Sequence, residues 1–164
     1  MSAAPLALDS PRWAELAHAY GGAEDLPKLL DALATEEEPE ARAELWFALW
    51  RLLYRPEEAF SASYAVVPHL LAITAPFGPQ ERLQALHLAT RIEIGRRAPG
   101  SAPMPDDLLA AYASAVEGLP RCVAALTDVP WSEDVARICA AGLLTGKRQP
   151  QLARALLDAG ADAE

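Results

Sequence analysis

The 164-residue chain contains few of the residues that build sheets. Val, Ile and Thr together account for only 15 residues, against 35 Ala and 25 Leu, and Asn is absent. Ala and Leu favour helices, whereas strands favour β-branched side chains. The composition therefore argues against a sheet-based architecture and predicts an all-α protein. At this length we expect a single domain over residues 1–164.

Cysteine and positive charge are also scarce. Cys122 and Cys139 have no CxxC spacing and no adjacent His, which excludes a disulfide framework and a zinc site of the usual pattern. We interpret both as small buried hydrophobic residues. The 14 basic residues face 23 acidic ones, and a net charge of −9 argues against nonspecific nucleic-acid binding. The sequence indicates no metal and no cofactor.

Signals for export and for membrane insertion are missing as well. The first basic residue, Arg12, follows Asp9, so the basic start of a secretory signal is absent and we expect a cytoplasmic protein. The longest segment without charged residues, 59–80, is interrupted by Pro68 and Pro76. It leaves an apolar helix of about 11 residues, which predicts a buried core helix and no membrane span.

Capping residues and prolines mark the helix starts. Ser10-Pro11 and Ser132 are typical N-terminal signals, and Pro39, Pro79 and Pro105 each precede an apolar run. These marks predict helices near residues 11–20, 25–35, 39–54, 62–75, 79–97, 105–117, 119–127, 132–145 and 150–159.

A short pattern recurs along the chain. Residues 26–30, 67–71 and 119–123 share the form apolar-Pro-x-apolar-apolar, and residues 149–153 are a weaker copy. A helix precedes each copy, and helix pairs at a period near 40 residues are typical of HEAT or armadillo solenoids. The alternative is an irregular orthogonal bundle. We predict a short right-handed α-solenoid of about four HEAT-like helix pairs, near 11–35, 39–75, 79–127 and 132–159.

Two segments resemble a known group of proteins. Residues 44–49 (ELWFAL) and 62–73 (ASYAVVPHLLAI) are similar to a group of bacterial HEAT-repeat-like proteins with mostly unassigned function. The resemblance covers about 30 residues and implies a helical-repeat fold more than an activity. Members of the group often carry a His-Gln-Gly turn between the two helices. Here the connection, 55–61 (RPEEAFS), lacks that His, so a role resting on the turn does not carry over.

The helix predicted over 39–54 is apolar over an arc of about 220°, which leads us to expect that it is covered on two sides. One interpretation makes its aromatic stripe core between repeats. The other makes it part of a concave groove that anchors a partner, since Trp and Tyr are common in interface hot spots. The candidate partner-binding aromatic and imidazole side chains are Trp46, Trp50, Tyr54, Phe60, Tyr64 and His69.

Acidic residues concentrate at one end of the chain. Residues 1–40 carry a net charge of −7, and the densest run contains Glu36, Glu37 and Glu38. The helix dipole favours acidic side chains at the start of the helix predicted over 39–54, which can explain this run. An acidic end would also steer a basic partner protein, so these three residues are partner-binding candidates too. We interpret Arg91, Arg96 and Arg97 as charges that complement the end of their helix.

Signals of catalysis are weak. Residues 142–148 (GLLTGKR) resemble a phosphate loop only superficially, and His18, His69 and His87 lack metal-ligand spacing. We therefore predict a non-enzymatic protein-protein interaction module, monomeric or weakly dimeric, that binds a basic protein and neither nucleic acid nor membrane. An immunity-type inhibitor of a basic toxin or nuclease is the sharper hypothesis. The alternative is a HEAT-like-repeat enzyme such as a DNA glycosylase, whose groove would have to be basic.

Overall fold

The computed structural model describes residues 3–161 and is mostly helical, which confirms the all-α prediction. The sheet content of this part is limited to two hairpins of two-residue strands. The first pairs β1 (Ala17–His18) with β2 (Gly21–Gly22), and the second pairs β3 (Tyr54–Arg55) with β4 (Glu58–Ala59). The helices are α1 (Leu26–Thr35), α2 (Pro39–Leu53), α3 (Ser61–Thr74), α4 (Pro79–Gly95), α5 (Asp106–Glu117), α6 (Leu119–Ala124), α7 (Glu133–Gly146) and α8 (Pro150–Ala161).

The helix predicted over 11–20 is wrong. Ser10 does cap a helical turn, its hydroxyl accepting from the Arg12 N–H at 3.2 Å, but only a 3-10 segment, Pro11–Glu15, follows. The chain then turns into the first hairpin. Glycines favour turns over helices, and the φ of Gly21 is 146°, a backbone conformation that side chains other than glycine rarely adopt. The predicted first helix pair therefore has only one helix, α1.

Helix α3 forms the centre of the core. Every residue from 62 to 67 is buried, and α3 contacts α1, the first hairpin, α4 and α5. Two of its buried hydroxyl groups donate hydrogen bonds to backbone carbonyls. Ser63 donates to Leu53, at the end of α2, at 2.6 Å, and Thr74 donates to Leu70 within α3 at 2.8 Å. The prediction of a buried helix in the uncharged segment is confirmed. No helix within residues 3–161 is both long and apolar enough to cross a membrane.

Helix α2 is less covered than its sequence predicts. Trp46, Leu49 and Leu53 are buried, but Phe47 is 65% exposed and Trp50 is only partly buried. The helix contacts α1 and α4, so it is covered on two sides as expected, but the part of its apolar arc at Phe47 is open. Its open side faces a groove beside α4, and the guanidinium of Arg51 covers the Phe47 ring at 5.6 Å. This contact shields an aromatic face that would otherwise meet only water.

The C-terminal helices pack at small residues. α7 contacts α4, α6 and α8, and Cys139 of α7 is fully buried in the main core. Cys122 is partly buried; burial raises the pKa of both thiols. Gly146 at the end of α7 lies against Pro120: a Cβ added there would be 2.4 Å from the proline Cδ. The absence of a side chain at Gly146 therefore sets how closely α6 and α7 approach.

Gly146→Ala should destabilise the protein although Ala is the better helix former. A proline ring cannot move aside as a flexible side chain can, so we expect a loss of about 1–3 kcal/mol in the free energy of unfolding. Chemical denaturation measures it. Gly78→Ala, where an added Cβ meets nothing within 4 Å, is the matched control and should be nearly neutral. An unchanged or higher stability of Gly146→Ala would contradict this packing.

Candidate functional site

Two adjoining cavities form a groove along α2 and α4. One, of about 540 Å³, lies between the N-terminal halves of the two helices, and the other, of about 580 Å³, lies toward the second hairpin and α8. Trp50 lines both. Cavities of a few hundred Å³ that combine aromatic and convergent polar side chains are typical of binding sites. We call the two cavities together the groove.

The α2 side of the groove is aromatic. Trp46 and Trp50 lie four residues apart on one face of α2, and Tyr54 follows as the first residue of β3, just beyond the end of the helix. Trp46 is 4% exposed and belongs to the core, whereas Trp50 and Tyr54 are partly buried. The rings of Trp50 and Tyr54 meet edge to face at 5.9 Å. The stripe thus runs from the core at one end to the open groove at the other.

The α4 side of the groove is polar. Glu81, Gln84, His87 and Arg91 are spaced by three or four residues, so they line one face of α4. The Trp46 indole N–H donates to the Glu81 carboxylate. The Trp50 indole N–H donates to Gln84 Oε1 at 3.0 Å. Both bonds cross from one helix to the other, and they hold the aromatic stripe at a fixed distance from α4.

His87 is an uncharged side chain inside the groove. Burial, and to a lesser extent the positive charge of Arg91, lower the pKa of its imidazole to about 4. Arg91 Nε lies 3.4 Å from His87 Nε2, and because a guanidinium can only donate, the imidazole nitrogen accepts. The ring packs edge to face on Trp50 at 4.9 Å. At neutral pH, His87 is therefore a fixed, neutral wall of the groove.

Helix α8 and the second hairpin complete the far end of the groove with two ion pairs. Arg91 lies 3.4 Å from Asp158 of α8, and Arg154 of α8 lies 3.1 Å from Glu57. Both carboxylates are exposed. Glu57 is at the hairpin turn with φ of 61°, in the left-handed region where a residue other than glycine is strained. The turn thus presents a carboxylate at a strained position beside the groove.

The acidic run lies at the opposite end. α2 begins at Pro39, which lines the groove, directly after Glu36, Glu37 and Glu38. Glu36 Oε1 accepts the backbone N–H groups of Glu37 at 3.0 Å and Glu38 at 2.9 Å. The carboxylates of Glu37 and Glu38 are exposed. Arg42 ties this loop to the groove, because it donates to the Glu36 carbonyl and lies 3.9 Å from Glu81.

The remaining predicted residues do not line the groove. Tyr64 is fully buried and donates to the Ala102 carbonyl at 2.6 Å, so its predicted place on a binding rim is wrong. His69 is partly buried, with Nε2 2.8 Å from the Leu6 carbonyl and its ring against Trp13. Phe60 lies beneath the Arg55 guanidinium at 5.9 Å. Tyr64 and His69 instead attach a loop and the N-terminal segment to α3.

A buried carboxylate organises the arginines that follow α4. Glu93 is 4% exposed and accepts two hydrogen bonds from Arg96, at 2.7 and 2.8 Å, and one from Arg97 at 3.3 Å. The buried Tyr112 hydroxyl donates to it at 2.9 Å; burial first, then the Glu93 charge, raises the tyrosine pKa. The interpretation of Arg91, Arg96 and Arg97 as helix-end charges alone is therefore wrong, because each is paired with a carboxylate.

Sequence reasoning missed the polar half of the groove. The spacing of Glu81, Gln84, His87 and Arg91 by three or four residues was a signal that could have found it. Asp158 left no such signal, because it reaches the groove only through the packing of α8. The segment 142–148 ends α7, as expected, and forms no phosphate loop. Within residues 3–161, no three His, Cys, Asp or Glu side chains are grouped to hold a metal ion.

Comparisons with known proteins returned no similar family model, curated protein or solved structure. The HEAT-like resemblance of residues 44–49 and 62–73 stays a prediction. The geometry of the groove, and above all the side chains that face each other across it, is therefore the basis for assigning a function.

Glu57→Gly should stabilise the protein. Glycine adopts a positive φ without strain, and relief of a left-handed residue is worth about 1 kcal/mol. The lost pair with Arg154 offsets little of this, since Glu57 is exposed. Thermal unfolding should show a higher midpoint. Glu58→Gly, in the neighbouring strand, is the control and should lower it; a lower midpoint for Glu57→Gly would contradict a strained turn.

His87 should make the protein acid-sensitive. The unfolded imidazole has a pKa of about 6.5 and the folded one about 4, so the unfolded state binds more protons between these values. The free energy of unfolding should therefore fall as the pH falls through this window, by about 2–3 kcal/mol from this group.

Urea denaturation of wild type and His87→Gln at pH 7 and near pH 4 isolates the effect. Glu57, Asp158 and the other carboxylates titrate in both proteins, so the difference between the two pH dependences belongs to His87. The variant should lose less stability on acidification. Equal losses in both proteins would show that His87 is protonated as easily in the folded state as in the unfolded one.

Proposed function

We propose that the chain is a non-enzymatic protein-binding module whose groove receives a segment of a basic partner protein. The observation that carries the proposal is that Trp50 joins two sizeable cavities into one extended groove. A groove lined on one side by aromatic rings and on the other by polar side chains offers both apolar anchoring and hydrogen-bond specificity.

The contacts between helices support a short HEAT-like solenoid as the frame of this groove. α4 contacts both α2 and α7, whereas α3 contacts both α1 and α5. This is the two-layer order in which each helix of a repeat stacks on its counterpart in the next. In this arrangement the groove lies on the layer that contains α2 and α4. Because α1 contacts α2 and α3 contacts α4, the repeats of this proposal pair α1 with α2 and α3 with α4.

The negative charge of the chain supports a basic partner. Glu37, Glu38 and Glu40 are exposed at the end of the groove where α2 begins, and the chain carries a net charge of −9. Such an end attracts a basic protein and orients it during encounter. An immunity-type inhibitor that covers a basic toxin or nuclease is the form of this function that best suits a small acidic helical chain.

The arginine pairing gives no support to a DNA glycosylase. A duplex-binding groove needs many free basic side chains for phosphate contacts. Arg91, Arg96 and Arg97, the residues that such a groove would use, each face a carboxylate of Asp158 or Glu93. Asp158 balances the charge of Arg91, whereas Arg96 and Arg97 share the single carboxylate of Glu93, so only one net positive charge remains among the three arginines.

Affinity purification from the native host, followed by mass spectrometry, tests the proposal. Wild type should retain a basic partner, whereas Trp50→Leu, which removes the groove's shared ring, and Glu37→Lys, which reverses an exposed rim charge, should each weaken its binding about tenfold or more. The affinity of the purified pair should then be measured by calorimetry.

Matched controls separate the groove from general effects. Leu152→Ala removes another exposed apolar side chain, and Asp128→Lys reverses another exposed carboxylate. Both should bind as wild type does. The groove would not be the binding site if the partner bound all four variants equally well. The same conclusion would follow if the two control variants weakened binding as much as the two groove variants.

A further inference from the structure

Two arginines and an exposed tyrosine form a second surface outside the groove's polar stripe. Tyr20 is 60% exposed at the tip of the first hairpin. The guanidinium carbon of Arg51 lies 5.5 Å from the centre of its ring, and that of Arg55 lies 5.2 Å from it. Both cations therefore pack against one aromatic ring, which is a favourable arrangement for each.

The hairpin is fixed in place by specific hydrogen bonds. The Ala19 N–H donates to the Leu52 carbonyl at 2.9 Å, and Arg55 donates to the Ala19 carbonyl at 3.0 Å. Within the turn, the Tyr20 N–H donates to His18 Nδ1 at 3.1 Å. These bonds attach the hairpin to the end of α2. Tyr20 is thus exposed because the turn presents it, although the hairpin itself is anchored.

Phenylalanine rings extend the surface on both sides. Phe47, 65% exposed, lies under Arg51 at 5.6 Å, and Phe60 lies under Arg55 at 5.9 Å. Each guanidinium therefore lies within 6 Å of the centres of two rings. Arginine and tyrosine are over-represented among residues that dominate binding energy, and side chains fixed before binding lose less entropy on contact.

The arginines of this surface keep unused hydrogen-bond donors. Within residues 3–161, Arg51 forms no ion pair, and its only hydrogen bond is to the Tyr20 hydroxyl at 3.3 Å. Arg55 has Glu58 as its nearest carboxylate, at 4.0 Å. A guanidinium offers five N–H donors in a planar fork that suits carboxylates. In a chain with 23 acidic residues, donors left free in this way point to an acidic group from outside.

We propose that the surface formed by Tyr20, Phe47, Arg51, Arg55 and Phe60 binds an acidic segment of a protein, whose carboxylates pair with Arg51 and Arg55. The aromatic rings hold the two guanidinium groups in position and pack on the apolar parts of the segment. This goes beyond the proposed groove, which is expected to take basic residues. Phe47 also lines the groove, but Arg51 and Arg55, which bind the acidic segment, do not.

A protein segment fits this surface better than a nucleic acid does. Nucleic-acid affinity grows with the number of phosphates neutralised, and two arginines on a chain of net charge −9 supply few such contacts. A short acidic segment needs only two well-placed cations. The positive charge of Arg51 and Arg55, together with the rings, attracts carboxylates to this surface although the rest of the protein is acidic.

Nuclear magnetic resonance of the full chain tests the proposal with a hexaglutamate peptide at low ionic strength. The peptide should shift the Nε–Hε resonances of Arg51 and Arg55. Arg51→Gln should weaken its binding about tenfold, and Arg51→Gln with Arg55→Gln should abolish it. Arg55 donates to the backbone of the hairpin at Ala19, so its loss could disturb the hairpin itself. Arg51→Gln alone keeps the test valid in that case, because the hydrogen bond of Arg51 is to the Tyr20 side chain.

The controls remove charge elsewhere. Arg121→Gln with Lys147→Gln takes away two exposed cations outside this surface and should leave binding unchanged. A hexaglutamine peptide should shift neither arginine. Equal loss in the control variant, equal shifts by hexaglutamine, or tighter binding of single-stranded oligothymidylate through Arg51 and Arg55 would each overturn the proposal.

Discussion

Two hydrogen bonds from α2 to α4 hold the groove open. The indole N–H groups of Trp46 and Trp50 reach Glu81 and Gln84, and each bond satisfies a polar group that would otherwise be costly to bury. Direct packing of α2 on α4 would close the space between them. Because the indoles cross this space, Trp50 stays partly buried and lines cavities on both sides. The aromatic stripe, neutral His87 and acidic rim depend on this spacing.

The helices were predictable where local chemistry alone marks their ends. Pro39 and Pro79 begin α2 and α4 as expected, and the Ser132 hydroxyl caps α7 by accepting from the Val135 N–H at 3.3 Å. The hairpins were not predictable in the same way. Their strands are two residues long, too short for any alternating pattern, and they are held by bonds to distant segments, such as Ala102 N–H to the Ala59 carbonyl at 2.9 Å.

Only the α2 side of the candidate site could be predicted from the sequence. The position of Trp50 beside Trp46 follows from helical spacing, whereas Tyr54 lines the groove from β3, beyond the end of α2. Spacing cannot tell which part of the wide apolar arc of α2 faces the core, and in the structure Trp46 is buried while Phe47 is exposed. Residues that meet through tertiary packing, such as Glu57 and Arg154, carry no local signal. The strained turn at Glu57 and the unpaired Arg51 are likewise features of the folded chain.

The groove exists before any partner binds, because bonds within the free protein hold α2 and α4 apart. Exchange of the indole N–H protons with deuterated solvent, followed by nuclear magnetic resonance on the free protein, tests this directly. Exchange should be slow for Trp50 as well as for buried Trp46, although the Trp50 side chain borders solvent, because its N–H stays bonded to Gln84. Exchange of Trp50 at the rate of a free indole would show instead that α2 and α4 are not held at a fixed spacing.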